Sequence, residues 1–158
     1  MLGIFYENEI CSAARSLELI GERWSLLILR DALFRGYTRF SDFQNSLNIA
    51  PNILTKRLAG FVGSGIMETK ASRPGSKHYD YVLTEKGEEL KPIIIALTNW
   101  GDRWNAPHGA PVSFEHQDCG GRIEQRLYCE ACNAVPETKK IIARETEAMA
   151  IYKEKISK

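Results

Sequence analysis

At 158 residues the chain has the length of one ordinary domain, with room for a small appendage. Its 44% hydrophobic and 26% charged residues supply a core and exclude wholesale disorder. The net charge of +1 names no partner by itself. Its distribution does more: residues 36–79 hold Arg39, Lys56, Arg57, Lys70, Arg73 and Lys77 against only Asp42 and Glu68, a local positive excess suited to phosphate.

The longest strongly apolar runs, 26–29 and 93–97, fall far short of the ~20 residues that cross a bilayer. Residues 1–10 carry Glu7 and Glu9 without a basic leader, so neither a membrane anchor nor a signal peptide is expected, and the expected location is the cytoplasm. In that reducing compartment the four cysteines read as thiols or metal ligands rather than disulfides.

In chain order, residues 11–20 place Ala14, Leu17 and Ile20 at helical spacing, and Gly21 interrupts. Residues 22–33 predict a second helix with Trp24, Leu27, Ile28 and Ala32 along one stripe and Glu22 in its first turn; Gly36 ends it. Ser41 and Gln44 form a capping box for a third helix over 42–47, with Phe43 and Leu47 facing inward. Residues 48–50 are a turn. Pro51 then starts a helix over 51–62, since its missing N–H needs no partner at the first position. Leu54, Leu58 and Phe61 are its buried stripe, so Asn52, Thr55, Lys56 and Ala59 point the other way. After Gly63 and Gly65, strands at 66–69 and 79–83 flank a cationic loop whose Pro74-Gly75 marks a tip.

Helix, turn, helix and basic hairpin in that order make a winged helix-turn-helix, a shape that places one helix in the major groove. The fold class expected is mainly α with a small β-hairpin (α+β), with helical dimerisation arms and a small C-terminal zinc-ribbon-like segment. Asn52, Thr55 and Lys56 are candidates for base edges or phosphate, Pro51 for the backbone near the helix tip, and Arg57 for phosphate at the edge of the face. Arg73, Lys77 and His78 are candidates for the minor groove or backbone clamp, and Arg39 with Ser41 for phosphate contact ahead of the first helix.

Thr84 caps the next helix. Leu90, Ile93, Leu97, Trp100 and Trp104 advance by threes and fours, a seam expected to run through Pro92 as one helix although proline breaks a local rule there. That stripe holds more apolar surface than a small domain covers, and two half-sites need two recognition helices, so a homodimer through this helix and the 11–20 helix is expected. The domain reading is 1–105 for DNA binding and dimerisation, 106–136 for a linker and metal knuckles, and 137–158 for a C-terminal helix or tail. In the second of these, His116, Cys119, Cys129 and Cys132 form two pairs with x2 spacing, a donor set suited to structural tetrahedral Zn²⁺.

The stretches CSAARSLELIGERWSLLILRDALF, RFSDF and LTKRLAGFVGSGIM, with a wing ending YVLTEKG, resemble the HxlR-type winged helix-turn-helix transcriptional regulators. The likeness spans roughly residues 11–101. It implies a small cytoplasmic dimer that binds double-stranded operator DNA and answers to a metabolite, electrophile or redox signal, and it makes Cys11 a candidate sensor. Members of that family commonly carry serine at the position of Ala50, and Gly60 stands where a better helix former is usual. The expected function is sequence-specific transcriptional regulation; the alternative is a zinc-stabilised protein-interaction module on the same scaffold. No nucleophile, base and orienting acid cluster in the sequence, and the three histidines are scattered, so no enzymatic activity is expected.

Overall fold

The computed structural model describes residue 6 and residues 9–156, with side chains as far as 153. The reading of residues 1–10 as lacking a leader rests mostly on positions outside the described residues, as does the end of the tail at 157–158.

Helix α1, Ser12–Ile20, is followed by α2, Ser25–Arg35, then α3, Phe40–Leu47, and α4, Pro51–Gly63. Strands β1, Met67–Ala71, and β2, Tyr79–Leu83, pair antiparallel with Met67 opposite Leu83 and Ala71 opposite Tyr79. Two helices come next, α5 at Glu85–Glu88 and α6 at Lys91–Asn105, and after a long irregular stretch a 3-10 turn, Thr138–Lys140, and helix α7, Glu147–Ile156. The fold is mainly helical with a two-stranded hairpin. Among the described residues no helix is long and apolar enough to cross a membrane.

The core lies where α2, α3, α4 and the start of β1 meet. Ile28, Leu29, Phe43, Leu54 and Leu58 are wholly buried, with Phe61, Ile66 and Met67 closing the base of the hairpin. The stripe expected on α4 is therefore the one that is buried. Gly36 ends α2 in the left-handed region at φ 66°, and Asn48 ends α3 in the same way at φ 47°, so the chain reverses tightly at both points.

Several local expectations are corrected. Helix α2 begins at Ser25 and not at residue 22, because Glu22 to Ser25 is a turn in which the Ser25 amide donates to the Glu22 carbonyl. Its buried face is consequently Ser25, Ile28, Leu29 and Ala32, while Leu27 is exposed. The Ser41–Gln44 capping box does not form: α3 begins at Phe40 with Arg39 as N-cap and no side-chain cap. The Tyr81 amide donates to the Thr38 carbonyl at 2.7 Å, and the helix starts two residues too early for Ser41 to serve.

The seam helix is also broken. α5 stops at Glu88, residues 89 and 90 turn, and α6 restarts with Pro92 in its first turn, where a proline costs nothing because no intrahelical acceptor awaits its nitrogen. In the tail, Ile141 and Ile142 lie in extended chain, and helix occupies only Glu147–Ile156.

Candidate nucleic-acid interface

Helix α4 presents its polar side outward because its apolar side is anchored along its length. Leu54, Leu58 and Phe61 are buried, while Pro51, Asn52, Thr55 and Lys56 are exposed. The Thr55 hydroxyl donates to the Pro51 carbonyl at 2.8 Å, which leaves its oxygen lone pairs facing out. Ala50 offers no side-chain cap, but Pro51 has no N–H and the Ile53 and Leu54 amides both donate to the Ala50 carbonyl at 3.0 Å, which leaves the Asn52 amide as the first-turn donor for water or an anion.

The far end of α4 is clamped by the segment after the wing. The Thr84 hydroxyl donates to the Gly65 carbonyl at 2.6 Å and accepts from the Gly87 amide at 3.3 Å. The Lys86 ammonium donates to the Ser64 carbonyl at 2.7 Å, at the negative end of the helix dipole. Gly87 is buried so tightly that a Cβ there would lie 2.3 Å from the Ile66 carbonyl oxygen. Thr84, Lys86 and Gly87 thus hold α4 at its C-terminal end. Sequence reading found only the Thr84 cap; a glycine inside an otherwise helical turn was the available signal for close backbone approach.

A second support was not anticipated. Asp31 on α2 is wholly buried, and its carboxylate accepts from Arg30 at 2.8 and 2.9 Å and from Ser46 of α3 at 2.6 Å. Arg35 donates to the same Ser46 hydroxyl at 2.6 Å. This network ties α3 to α2 and so sets the angle at which the turn delivers α4.

The hairpin tip is a tight loop. The Ser72 amide donates to the His78 carbonyl, the Ser76 amide to the Arg73 carbonyl, and the His78 amide to the Ser76 hydroxyl, around Gly75 at φ 76°. Arg73, Lys77 and His78 are exposed on it. A cleft of about 500 Å³ separates the start of α3 from the hairpin, with Arg39 and Ser41 on one wall and Arg73 and His78 on the other. Lys77 and the α4 face lie outside that cleft.

The cations differ in how committed they are. Among the described residues, Lys56, Arg73 and Lys77 make no ion pair within the protein. Lys70 is paired with Glu68 at 2.9 Å, and Arg57, half-buried, is paired with Glu22 at 3.3 Å, turned toward the start of α2. Arg39 stands 3.9 Å from an Asp80 carboxylate oxygen, which is buried and has no hydrogen-bond donor among the described residues. At that distance Arg39 screens the carboxylate without satisfying it, and its exposed guanidinium is partly neutralised.

Helix α6 buries Ile94 and exposes Ile93 at 47%, Leu97 at 49%, Trp100 at 59% and Trp104 at 64%. Leu90, in the turn before it, is half-buried against the core. Cys11 is exposed at the N-cap of α1. In the tail, Phe114 packs on Phe34 of α2 with ring centroids 4.9 Å apart. His116 Nδ1 stands 3.3 Å from Cys119 Sγ, and the Cys129 thiol is held below the usual thiol range, first by the Cys132 amide and then by the Cys132 thiol and the Ala131 amide. The four donors stay as two pairs: among the described residues no three His, Cys, Asp or Glu side chains gather as a metal-sized cluster.

Residues 19–109 match the HxlR-like helix-turn-helix family. The chain belongs to the HxlR family of transcriptional regulators. Among HxlR-type relatives, the uncharacterized HTH-type transcriptional regulator Rv3095 of Mycobacterium tuberculosis is 38% identical over 128 residues, covering 80% of this chain and 79% of its own. The crystal structure of PA1607, described as a candidate transcription factor, superposes with a TM-score of 0.79 at 34% identity, over 89% of this chain and 98% of that one. The redox regulator HypR in its reduced form superposes with a TM-score of 0.53 at 26% identity, over 59% of this chain and 92% of its own.

Proposed function

We propose that this HxlR-family chain acts as a homodimer that reads operator DNA, with α4 of each copy in the major groove, the hairpin tip on the backbone or in the minor groove, and an occupancy that answers to a small-molecule or redox signal. The observation that carries the reading is the pairing of an exposed Asn52, Thr55 and Lys56 face, on a helix anchored along its other side, with a tip whose Arg73 and Lys77 make no internal ion pair among the described residues. Asn52 can pair bidentately with adenine, while Lys56 and the tip's cations suit phosphate.

Dimerisation is supported by α6, where four large apolar side chains at a regular helical spacing lie outside the protomer's own core. A partner helix on that face doubles the recognition helices, as two half-sites require. The signal is assigned to Cys11 because it is an exposed thiol at the start of the helix expected to join that dimer contact. Substituting Cys11→Ser should leave DNA binding intact and abolish its loss on treatment with a quinone or peroxide.

The test is fluorescence anisotropy on the promoter of the protein's own operon, with thiols reduced, across a salt series. With about six phosphate contacts per dimer, log K should fall with log salt at a slope of about −5. Absent binding, or binding indifferent to salt, overturns the reading.

A further inference from the structure

We propose that residues 116–121 and 129–134 are the two matched halves of a structural Zn²⁺ site in the tail, with His116, Cys119, Cys129 and Cys132 as its four donors.

The two halves share one backbone frame. In the first, the His116 amide donates to the Gly121 carbonyl and the Gly120 amide to the His116 carbonyl, both at 2.8 Å. In the second, the Cys129 amide donates to the Ala134 carbonyl at 2.9 Å and the Asn133 amide to the Cys129 carbonyl at 2.8 Å. Position for position the bonds are the same. So is the left-handed residue after each second donor: Gly120 at φ 68° and Asn133 at φ 50°. Asparagine is among the few non-glycine residues that adopt this region readily, so both turns carry a residue suited to it. Two such turns, each carrying a donor pair of x2 spacing, with nine residues between Cys119 and Cys129, are the knuckles of a ribbon site.

Within the first half the donors already stand at a coordination spacing. Zinc bond lengths of ~2.05 Å to nitrogen and ~2.3 Å to sulfur, at a tetrahedral angle, place the two donors roughly 3.6 Å apart. His116 Nδ1 and Cys119 Sγ are 3.3 Å apart. The other ring nitrogen, Nε2, lies 3.6 Å from an Asp118 carboxylate oxygen, the outer partner that orients a metal-bound imidazole. Gly121 leaves room for the sulfur, since a Cβ there would meet Cys119 Sγ at 3.3 Å.

Apart from the packing of Phe114 on Phe34, the described tail has little to order it. Across residues 107–148 no side chain is buried; only Phe114, Cys129 and Pro136 are half-buried, while Ile123, Leu127, Tyr128 and Val135 are exposed. A segment with defined turns and so little core gains most from a cross-link, and a bound metal is one that this His and Cys donor set can form. Binding draws the two pairs together through the 120–128 connection, and the three thiols give up their protons to solvent as the sulfur–metal bonds form.

The test uses the full-length protein, purified under reducing conditions without chelator. Elemental analysis should find one zinc per chain, and Co²⁺ added to metal-free protein should give an intense tetrahedral spectrum with thiolate charge-transfer bands. Cys129→Ser with Cys132→Ser should abolish both, and Cys11→Ser neither. Metal removal should open residues 112–136 to protease while residues 12–105 stay resistant. An octahedral Co²⁺ spectrum, a metal-free protein with an equally resistant tail, or a Cys129–Cys132 disulfide in place of bound metal overturns the proposal. Each outcome is read without DNA, so the regulator reading stands or falls separately.

Discussion

The Ser46 hydroxyl donates to the wholly buried carboxylate of Asp31 at 2.6 Å while accepting from Arg35 at 2.6 Å, so a single serine joins α2 to α3. Ser46→Ala leaves a buried carboxylate oxygen without its donor and should cost about 1–2 kcal/mol. Asp31→Ala strands two guanidinium groups and should cost about 3 kcal/mol, the low end for a buried pair because Arg30 and Arg35 remain partly in water. Urea melts by circular dichroism check both, and an unchanged midpoint for Asp31→Ala would remove the network from the account of how α3 is held.

Two glycines should respond to alanine with opposite sign. At Gly87 the added methyl meets the Ile66 carbonyl oxygen at 2.3 Å and Leu83 Cδ2 at 2.8 Å, and a backbone oxygen cannot step aside. Gly87→Ala is expected to destabilise by about 1–3 kcal/mol and to loosen the C-terminal end of α4. Gly60 sits within α4 with nothing near the place its Cβ would occupy, so Gly60→Ala should stabilise by about 1 kcal/mol. Ala50→Ser at the uncapped start of the same helix should add about 1 kcal/mol. Thermal melts of the three single variants are the measurement.

What was legible in the sequence was what local chemistry decides. Leu54, Leu58 and Phe61 repeat at helical spacing, Pro51 suits a first helical position, and Pro74-Gly75 marks a loop; each of these the structure bears out. Where a local rule met a tertiary contact, the contact won. Ser41 and Gln44 have the spacing of a capping box, but the Tyr81 amide on the Thr38 carbonyl starts α3 at Phe40. At Pro92 the local rule was right and periodicity misled, because the apolar stripe continues across the turn between α5 and α6. Asp31 was invisible: a charged residue earns burial only from partners on another helix, and nothing in the residues around it announces Ser46. The x2 spacing of His116 with Cys119 and of Cys129 with Cys132 was legible in the sequence, whereas the matched backbone frame of 116–121 and 129–134 needed coordinates.

The uncommitted cations should carry the electrostatics of DNA binding. Lys56→Ala, Arg73→Ala and Lys77→Ala should each weaken binding on all sequences and flatten the salt slope by about one per lost contact, hence about two for a dimer. Arg57→Ala should flatten it less, since that guanidinium is already spent on Glu22 at 3.3 Å, and should lower stability instead. Asn52→Ala should act differently, costing about 1–3 kcal/mol on the operator while leaving non-specific binding nearly unchanged. Anisotropy titrations on operator and scrambled duplexes separate the two classes, and a uniform response across all five variants would contradict the division.

Helix α6 offers a sharper separation, because neighbouring positions face different partners. Ile94 is 3% exposed and belongs to the protomer, so Ile94→Ala should lower the melting temperature of the fold at a cost of about 2–4 kcal/mol. Leu97 and Trp100 are exposed in the protomer and should matter only to a second copy. Leu97→Glu with Trp100→Ala should leave the far-ultraviolet dichroism of the monomer intact, yield a monomer by light scattering, and lower operator affinity by at least tenfold, because each recognition helix then binds its half-site without the effective concentration its partner supplied. Fusing two copies of this variant through a flexible linker should recover part of that affinity with no apolar contact restored. If the variant stays dimeric, the seam lies elsewhere on the protomer; if it is monomeric and binds as tightly as before, the operator is read by one copy.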